Sequence, residues 1–237
     1  MTGDNDLFDA LANIQSEVDL AAYLHRTARE YGLAGFMIVD VPSVSDERLQ
    51  PRISLSNMPK GFLEEYDRQG LLKNSLIFGN LRRTTIPTVW SLDDITSGRP
   101  AIENEPMREL FRRHHISMGV FFPVHGVDGS RAAIGFDGDR PPLTQLEISQ
   151  LGMLVVHAYA IYCTLKNPAG PPASNLTGRE LEVLHWAANG KTSVEIAAIL
   201  SLSDHTVNTY MNTAMRKLDC VNRTQLVAKA MRLRLIS

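Results

Sequence analysis

The sequence has few of the features that mark several protein classes. Among its 237 residues it has only two cysteines, Cys163 and Cys220, which argues against a disulfide framework and for a reducing compartment. We find no apolar run approaching the roughly 18 residues that a membrane span needs, and no recognisable signal peptide. The sequence therefore predicts a soluble, cytoplasmic protein with no membrane partner.

Residue patterns typical of catalysis and metal binding are also missing. Residues 190–192 (GKT) resemble the end of a phosphate-binding loop, but His185 stands where such a loop needs glycine. His114 and His115 are adjacent and point apart on a helix, so they do not make a metal pair. No serine nucleophile elbow, paired catalytic carboxylates or Cys–His arrangement stands out. We therefore expect neither an enzyme nor a bound cofactor or metal.

Charge is distributed unevenly along the chain. The net charge is −2, with 24 basic and 26 acidic residues. Eight of the basic residues but only five of the acidic ones follow position 174, a balance of +3 against −5 for the rest. A basic C-terminal part on an acidic body suits a phosphate-binding module carried by a regulatory one. The hydrophobic content of 44 % predicts that both parts have a core.

The most informative stretch is residues 203–218. Its apolar residues recur at spacings of four, three and four, as on one face of a helix: Val207, Met211, Ala214 and Leu218. A shorter helix precedes it, announced by the capping box of Thr192 and Glu195, and residues 201–203 form the turn between the two. A short helix, a tight turn and a longer helix with a polar outer face indicate a helix-turn-helix, whose second helix enters the major groove of DNA.

Polar residues outside the apolar stripe are the candidates for contact with double-stranded DNA. Asn208 and Asn212 lie four apart and can read adenine by paired hydrogen bonds, or they merely solvate the helix. Residues at helix ends are natural phosphate contacts. The complete predicted set is Lys191, Thr192, His205, Asn208, Thr209, Asn212, Arg216, Lys217 and Arg223.

The first part of the chain predicts an α/β/α sandwich around a mainly antiparallel sheet. Two amphipathic helices fill the first 33 residues, with Val18 on the apolar stripe of the second, and a less regular helix is expected at 71–82. A β-hairpin at 119–136 leaves no room for a crossover helix, so its strands are antiparallel. The predicted strands are 35–41, 52–56, 86–90, 119–124 and 132–136, and a long helix at 145–165 closes the domain.

A proline-rich segment separates two predicted domains. Residues 166–175 (KNPAGPPASN) contain three prolines and a glycine, a composition typical of a linker. We predict a sensing and dimerising domain at 1–166, a linker at 167–175 and a four-helix DNA-binding domain at 176–237. The overall fold class is α+β.

The segment from Leu176 to the end resembles the LuxR-type (GerE-like) DNA-binding domain along its whole length. Two positions depart from the pattern: Asn208 and Tyr210 stand where many members have Lys and His. The matching residues are Leu176, Thr177, Arg179, Glu180, Val183, Leu184, Gly190, Lys191, Glu195, Ile196, Ala197, Leu200, Ser203, Thr206, Val207, Lys217, Leu218 and Asn222. The resemblance implies a transcription regulator that binds a dyad-symmetric site as a dimer.

The first domain is similar to the autoinducer-binding domain of the quorum-sensing branch of that family. The residues at the spacing of the family's ligand pocket are Phe62, Tyr66, Ser75, Trp90 and Gly119. In the family, a Trp donates to the carbonyl of an acyl-homoserine lactone and an Asp accepts from its amide. Here Phe62 replaces that Trp and Ser75 replaces that Asp, which predicts affinity for such lactones lower by about two orders of magnitude.

The sequence therefore leaves two functions open. One is a DNA-binding regulator that responds to a small molecule other than a standard lactone. The other is a ligand-independent regulator or interaction protein, whose first domain pairs with a related chain to form a heterodimer or to block that chain. A ligand predicts a cavity near Tyr66 and Trp90, whereas the heterodimer predicts that side chains such as Phe62 fill that space.

Overall fold

The computed structural model describes residues 3–97, 101–126, 129–168, 175–233 and 235–236. Within them the chain forms two compact units. We call the unit that extends to Pro168 the front domain, and the unit with the last four helices the C-terminal domain. Most of the predicted linker, residues 169–174, lies outside the described residues, so the linker itself stays a prediction.

The front domain is built from helices and strands that alternate irregularly. Its described strands are β1 (Gly35–Asp40), β2 (Ile53–Ser56), β3 (Thr88–Ser91), β4 (Met118–His125) and β5 (Arg131–Gly138). Its described helices are α1 (Gly3–Leu11), α2 (Glu17–Glu30), α3 (Lys60–Arg68), α4 (Leu76–Leu81), α5 (Leu92–Thr96), α6 (Ala101–Arg113) and α7 (Gln145–Lys166).

The five strands form one sheet in the order β2-β1-β5-β4-β3, and every neighbouring pair is antiparallel. Strands β4 and β5 pair directly, from Met118 opposite Gly138 to His125 opposite Arg131. The predicted hairpin is therefore confirmed, although residues 127 and 128 between its strands lie outside the described residues. The sheet is fully antiparallel rather than mainly so.

Helices cover both faces of the sheet, because successive side chains of a strand point to opposite sides. Phe36 and Ile38 of β1 face a first core shared with α1, α2 and α7. Met37 and Val39 face a second core shared with α3, α4, α5 and α6. The predicted α/β/α sandwich is thus confirmed, and the second core is the one next to the predicted ligand residues.

Two local predictions for the front domain are wrong. The helix expected at 71–82 begins only at Leu76, because residues 71–74 form turns and Ser75 caps the helix by accepting from the backbone N–H of Phe78. Val18 was placed on the apolar stripe of α2 but is 77 % exposed, because it lies at the start of the helix, outside the face that packs on the sheet.

The prediction that no apolar run has the length of a membrane span is wrong for helix α7. It has 22 residues and is the one helix among those described that is long and apolar enough by length and composition. One side of it is buried in the first core through residues such as Leu151, Leu154 and Ala158. A capping box of Thr144 and Glu147 starts it.

The C-terminal domain has the predicted four helices, α8 (Gly178–Ala188), α9 (Ser193–Leu200), α10 (Asp204–Lys217) and α11 (Arg223–Arg232). Capping boxes begin α8 and α9, and Asn222 caps α11. Gly190 follows α8 with φ +80°, a left-handed conformation that favours glycine. The side chains that close the core are Val183, Leu184, Ala187, Ile196, Ala197, Val207, Met211, Ala214, Leu218, Leu226 and Ala230.

Three apolar residues of α8 and α9 lie at the edge of this core. Ile199 is 42 % exposed, because Ile196 and Ala197 carry the contact of α9 with the core. Leu181 and Trp186 are half-buried, and Val183 and Ala187 take the central positions of α8.

Candidate DNA-binding and ligand-binding sites

Helices α9 and α10 are joined by a tight turn with defined chemistry at each residue. Ser201 ends α9 in the left-handed conformation, with φ +54° and ψ +47°. Ser203 begins α10, and its side chain accepts from the backbone N–H of Thr206. This short connection fixes the direction of α10 relative to α9, as a helix-turn-helix requires.

Helix α10 has one buried and one exposed side. The predicted stripe of Val207, Met211, Ala214 and Leu218 is buried, with at most 5 % exposure. Since these residues hold the helix on α8 and α9, the opposite side is available to a partner. The predicted contact residues of α10 are all exposed: His205, Asn208, Thr209, Asn212, Arg216 and Lys217.

Two of the exposed polar residues already have partners within the protein. The Asn208 side-chain oxygen accepts from the hydroxyl of Ser193 on α9, at 2.7 Å. The Thr209 hydroxyl donates to the backbone oxygen of His205 at 2.9 Å. Asn212, in contrast, makes no hydrogen bond with any described residue. The two asparagines therefore differ, because only Asn212 has its whole amide free to bind a base.

Lys217 has a different environment from the one its sequence position suggested. Its ammonium group donates to both carboxylate oxygens of Glu180, at 2.9 and 2.8 Å, and to the backbone oxygen of Asn175 at 2.8 Å. These contacts use the three donors of a lysine. Burial raises the pKa of Glu180, but hydrogen bonds from Lys217 and Thr177 outweigh it and keep that pKa below its usual value. Lys217 thus joins α10 to α8, whereas neighbouring Arg216 is exposed.

The remaining predicted phosphate contacts lie at the starts of α9 and α11. Thr192 caps α9 in a reciprocal capping box with Glu195. The Lys191 ammonium group lies 3.6 Å from a carboxylate oxygen of Glu195, and both side chains are more than 40 % exposed. Arg223 donates to the backbone oxygen of Lys191. The start of α11 is therefore joined to the start of α9, and these three predicted contacts lie together.

In the front domain, the predicted ligand residues are brought together but are packed against each other. Phe62 and Trp90 both contact the ring of Phe111, with centroids 5.3 and 5.8 Å away. Phe62 also lies 6.1 Å from Tyr66 and 5.3 Å from His114. The three predicted aromatic residues are at most 6 % exposed. The space beside Phe62 is thus occupied by aromatic side chains.

Gly119 and Ser75 have clear local roles. A Cβ atom on Gly119 would lie 2.6 Å from Cζ2 of Trp90, so glycine is what allows the indole ring to lie against β4. The Ser75 hydroxyl is half-buried and accepts from the backbone N–H of Phe78 at 3.4 Å. Ser75 is therefore used at the start of α4, and Phe62 has no polar atom to offer.

Two polar residues of the sites were missed from the sequence. Asp137 of β5 is 6 % exposed and lies on the face of the sheet that carries Ala133 of the second core. Strand alternation from Ala133 could have placed it there. Ser193, the partner of Asn208, could not have been found, because it depends on how α9 and α10 pack. Over the described residues, no cluster of three His, Cys, Asp or Glu side chains is arranged to hold a metal ion.

Comparisons with protein families divide the chain in the same way. Residues 16–161 match the autoinducer binding domain family, and residues 174–230 match the luxR family of bacterial regulatory proteins. Helices α9 and α10, with the exposed polar side described above, lie within the second match.

Individual relatives are similar to the chain over most of its length. The chain is 31 % identical to the quorum sensing-dependent transcriptional regulator RpaR of Rhodopseudomonas palustris, over 86 % of this chain and 83 % of that protein. It is 26 % identical to the transcriptional activator BjaR1 of Bradyrhizobium diazoefficiens, over 98 % of this chain and 95 % of that protein. A crystal structure of Escherichia coli SdiA superposes with a TM-score of 0.72 at 21 % identity, over 99 % of this chain and 98 % of that one. This last likeness is one of fold.

Proposed function

The chain belongs to the luxR family of bacterial regulatory proteins, as a quorum-sensing transcription regulator with an autoinducer-binding domain before its DNA-binding domain, and on that premise we propose four specific properties. It binds DNA as a dimer through the exposed side of α10. It binds standard acyl-homoserine lactones weakly. It acts in the cytoplasm, and a small molecule bound by the front domain controls DNA binding.

The observation that carries the DNA-binding proposal is the division of α10 into a buried apolar side and an exposed polar side. An α-helix fits the major groove, where exposed amide and imidazole groups meet base edges. We assign Asn212 the principal base contact, because its amide bonds to none of the described residues and can donate and accept together. His205 lies one turn before Asn208, on the same polar side.

Asn208 has a more restricted role in this proposal. Its oxygen accepts from Ser193, so its two N–H donors remain for the acceptors of guanine, thymine or phosphate. This differs from the paired adenine contact expected from sequence. The proposed phosphate contacts are Arg216, Lys191, Thr192, Thr209 and Arg223. Lys217 instead stabilises the domain, because its donors are already in use.

The exposed apolar surface of the front domain supports a dimer. Leu146, Met153 and Val156 of α7 are 68 %, 53 % and 58 % exposed. A groove of about 680 Å³ lies between α7 and the edge of the sheet, where Ile86 and Val89 are also exposed. Apolar patches of this kind mark protein interfaces. A second copy of the chain is the occupant that fits a dyad-symmetric DNA site.

Weak binding of standard lactones follows from two side chains. A ligand carbonyl buried beside Phe62 finds no donor there, at a cost of about 1–3 kcal/mol. Ser75 offers a neutral acceptor that is already engaged with Phe78, where a carboxylate would give a stronger, charge-assisted bond. We expect no thermal stabilisation of the full-length protein by submicromolar acyl-homoserine lactones. A stabilising response at that concentration would defeat this part of the proposal.

Selection of binding sites from random duplexes tests the DNA-binding proposal. The expected product is a dyad-symmetric sequence with half-sites about one helical turn apart, bound by two chains in native mass spectrometry. A Met153→Glu, Val156→Glu variant places charges in the apolar surface and should bind as a monomer with much lower affinity. Enrichment of no sequence, or dimers unaffected by the two charges, contradicts the proposal.

A second candidate function is a ligand-independent regulator that forms a heterodimer with a related chain. One observation favours it: the rings of Phe62, Phe111 and Tyr66 occupy the space beside α3 and α6. The same apolar surface of α7 would then bind the related chain. Native mass spectrometry of the protein purified from its own cells separates the two candidates. A bound small molecule supports the first function, and a second, different chain without a ligand supports the heterodimer.

A further inference from the structure

A line of four residues crosses the sheet on the side of the second core. Gly35 of β1 is paired with Asp137 of β5, Asp137 with Gly119 of β4, and Gly119 with Trp90 of β3. Cross-strand partners of a regular antiparallel sheet share a face. The carboxyl of Asp137 and the indole of Trp90 therefore stand in one line, two strands apart, on the face covered by α3 to α6.

The two glycines of this line allow both polar side chains to lie against the sheet. A Cβ atom on Gly35 would be 2.4 Å from Oδ1 of Asp137, and one on Gly119 would be 2.6 Å from Cζ2 of Trp90. Real side chains do not approach so closely, so any residue with a Cβ atom would displace the carboxyl or the indole. The line is thus an arrangement in which glycines make room for two polar groups.

Neither polar group has a hydrogen-bond partner within the described part of the chain. Both residues are 6 % exposed, and the N–H of Trp90 is buried with no acceptor. The Asp137 carboxyl accepts no hydrogen bond and forms no ion pair there. Desolvation alone raises the pKa of Asp137 to about 7. A buried polar group without a partner is costly, and a buried carboxylate without one is more so.

The side chains around Asp137 and Trp90 favour a positively charged ligand. The rings of Trp90, Phe111 and Phe62 line the same side of the sheet, with neighbouring centroids 5.3–5.8 Å apart. Aromatic faces attract cations, and a buried carboxylate is stabilised most by a positive group. An anionic ligand is excluded by the same carboxylate. The indole N–H in turn needs an acceptor atom.

We propose that Asp137 and Trp90 form the polar subsite of the front domain for a small organic cation, whose ammonium group pairs with Asp137 and whose neighbouring oxygen accepts from Trp90. The inference rests on the proposed function, because it gives the front domain a small-molecule ligand. It also explains how the domain binds a ligand without the polar groups that Phe62 and Ser75 replace. The polar contacts with the ligand then come from the sheet and not from the helices. The ligand class is an amino alcohol with an apolar body.

Matched small molecules test this assignment on the full-length protein by isothermal titration calorimetry. The probe is 2-amino-1-phenylethanol, which has the ammonium group, the oxygen and an aromatic body. N-acetylation removes its charge, and 2-phenylethylamine lacks the oxygen. We expect the probe to bind about 10- to 100-fold more tightly than its N-acetyl derivative and about 3- to 10-fold more tightly than 2-phenylethylamine, as one charged and one neutral hydrogen bond predict.

Two variants assign each difference to one residue. Asp137→Asn should bind the probe and its N-acetyl derivative equally, while Trp90→Phe should bind the probe and 2-phenylethylamine equally but still prefer the charged form. Asp40→Asn is the matched control, because Asp40 is an exposed carboxylate at the end of β1. It should keep both preferences.

The indole N–H signal of Trp90 in a 15N–1H NMR spectrum provides a second measurement that needs no altered Asp137. The chain has two tryptophans, so a Trp90→Phe spectrum identifies the signal. The probe should shift it, and 2-phenylethylamine should shift it much less. Binding of the probe undetectable at millimolar concentration, or equal affinity for the charged and acetylated forms, overturns the inference. Selection of a DNA site by the same protein would then show that the DNA-binding proposal stands without it.

Discussion

The exposed side of α10 and the inner face of the sheet present polar groups in opposite ways. On α10, the polar groups face solvent. The helix that carries them is capped by Ser203, and Asn208 is held by its hydrogen bond with Ser193. On the sheet, Asp137 and Trp90 are buried, the Trp90 N–H has no acceptor, and the Asp137 carboxyl has no hydrogen-bond or ion-pair partner among the described residues. An exposed polar group without a protein partner forms hydrogen bonds with water and does not lower the stability of its domain. A buried polar group without a partner lowers the stability of its domain until a ligand binds to it. The C-terminal domain is therefore expected to be stable alone, and the front domain to be stabilised by its ligand.

The largest predicted effect is the pH dependence of the front domain's stability, which results from Asp137. Its pKa is about 7 in the folded protein, against an ordinary value of 3.8, so the folded state keeps this proton to a higher pH than the unfolded state. Its contribution to stability is complete below about pH 4 and is lost as pH rises through 7, a change of up to about 4 kcal/mol.

Urea unfolding of the front domain between pH 4 and pH 8 measures this change, with Trp90 fluorescence followed in a Trp186→Phe background. Asp137→Asn should remove that part of the pH dependence, and Asp40→Asn should leave it. Wild-type and Asp137→Asn curves with the same dependence on pH would show that the carboxyl is not desolvated.

The second largest predicted effect concerns the ion pair between Lys217 and Glu180 in the C-terminal domain. Lys217→Met leaves Glu180, which is 4 % exposed, buried without its cation. We expect a loss of about 2–4 kcal/mol in the unfolding free energy of this domain. Arg216→Met, the exposed neighbour on the same helix, should cost less than about 0.5 kcal/mol and should instead lower the salt dependence of DNA binding by about one ion.

Urea unfolding and salt titrations of DNA binding on the two variants separate these roles. If Lys217→Met were as stable as the wild type and changed only the salt dependence, Lys217 would be a phosphate contact, as its sequence position first suggested.

The smallest effect compares one motif in the two domains. Thr144 and Thr192 each start a helix with a capping box, so Thr144→Ala and Thr192→Ala should each cost about 1 kcal/mol in the unfolding free energy of their own domain. Only Thr192→Ala should also weaken DNA binding, because the start of α9 is a proposed phosphate contact. Equal effects of the two substitutions on DNA affinity would remove that contact from the proposal.

The sequence predicted the elements that depend on local signals. The stripe from Val207 to Leu218, the cap of Thr192 and the antiparallel hairpin are all present in the structure. Each is encoded within a few residues of the chain, through helical periodicity, capping chemistry or the length of a connection.

Features that depend on packing between distant segments were not predictable. Lys217 pairs with Glu180, 37 residues earlier, and Ser193 reaches Asn208 across two helices. The line from Gly35 to Trp90 requires the register of four strands, which the alternation of any one strand does not give. The buried stripe and exposed polar side of α10 were therefore predictable from the sequence, whereas the cross-strand line of Asp137 and Trp90 was not.

The most direct test of the account is the binding of wild-type and Asn212→Ala protein to the selected DNA site and to a scrambled duplex, by fluorescence anisotropy over a range of salt concentrations. We predict that the ratio of specific to non-specific affinity falls about 10- to 100-fold, with the salt dependence unchanged, because a base contact is lost and no phosphate contact is. An unchanged ratio would contradict the central claim that the exposed side of α10 reads the bases.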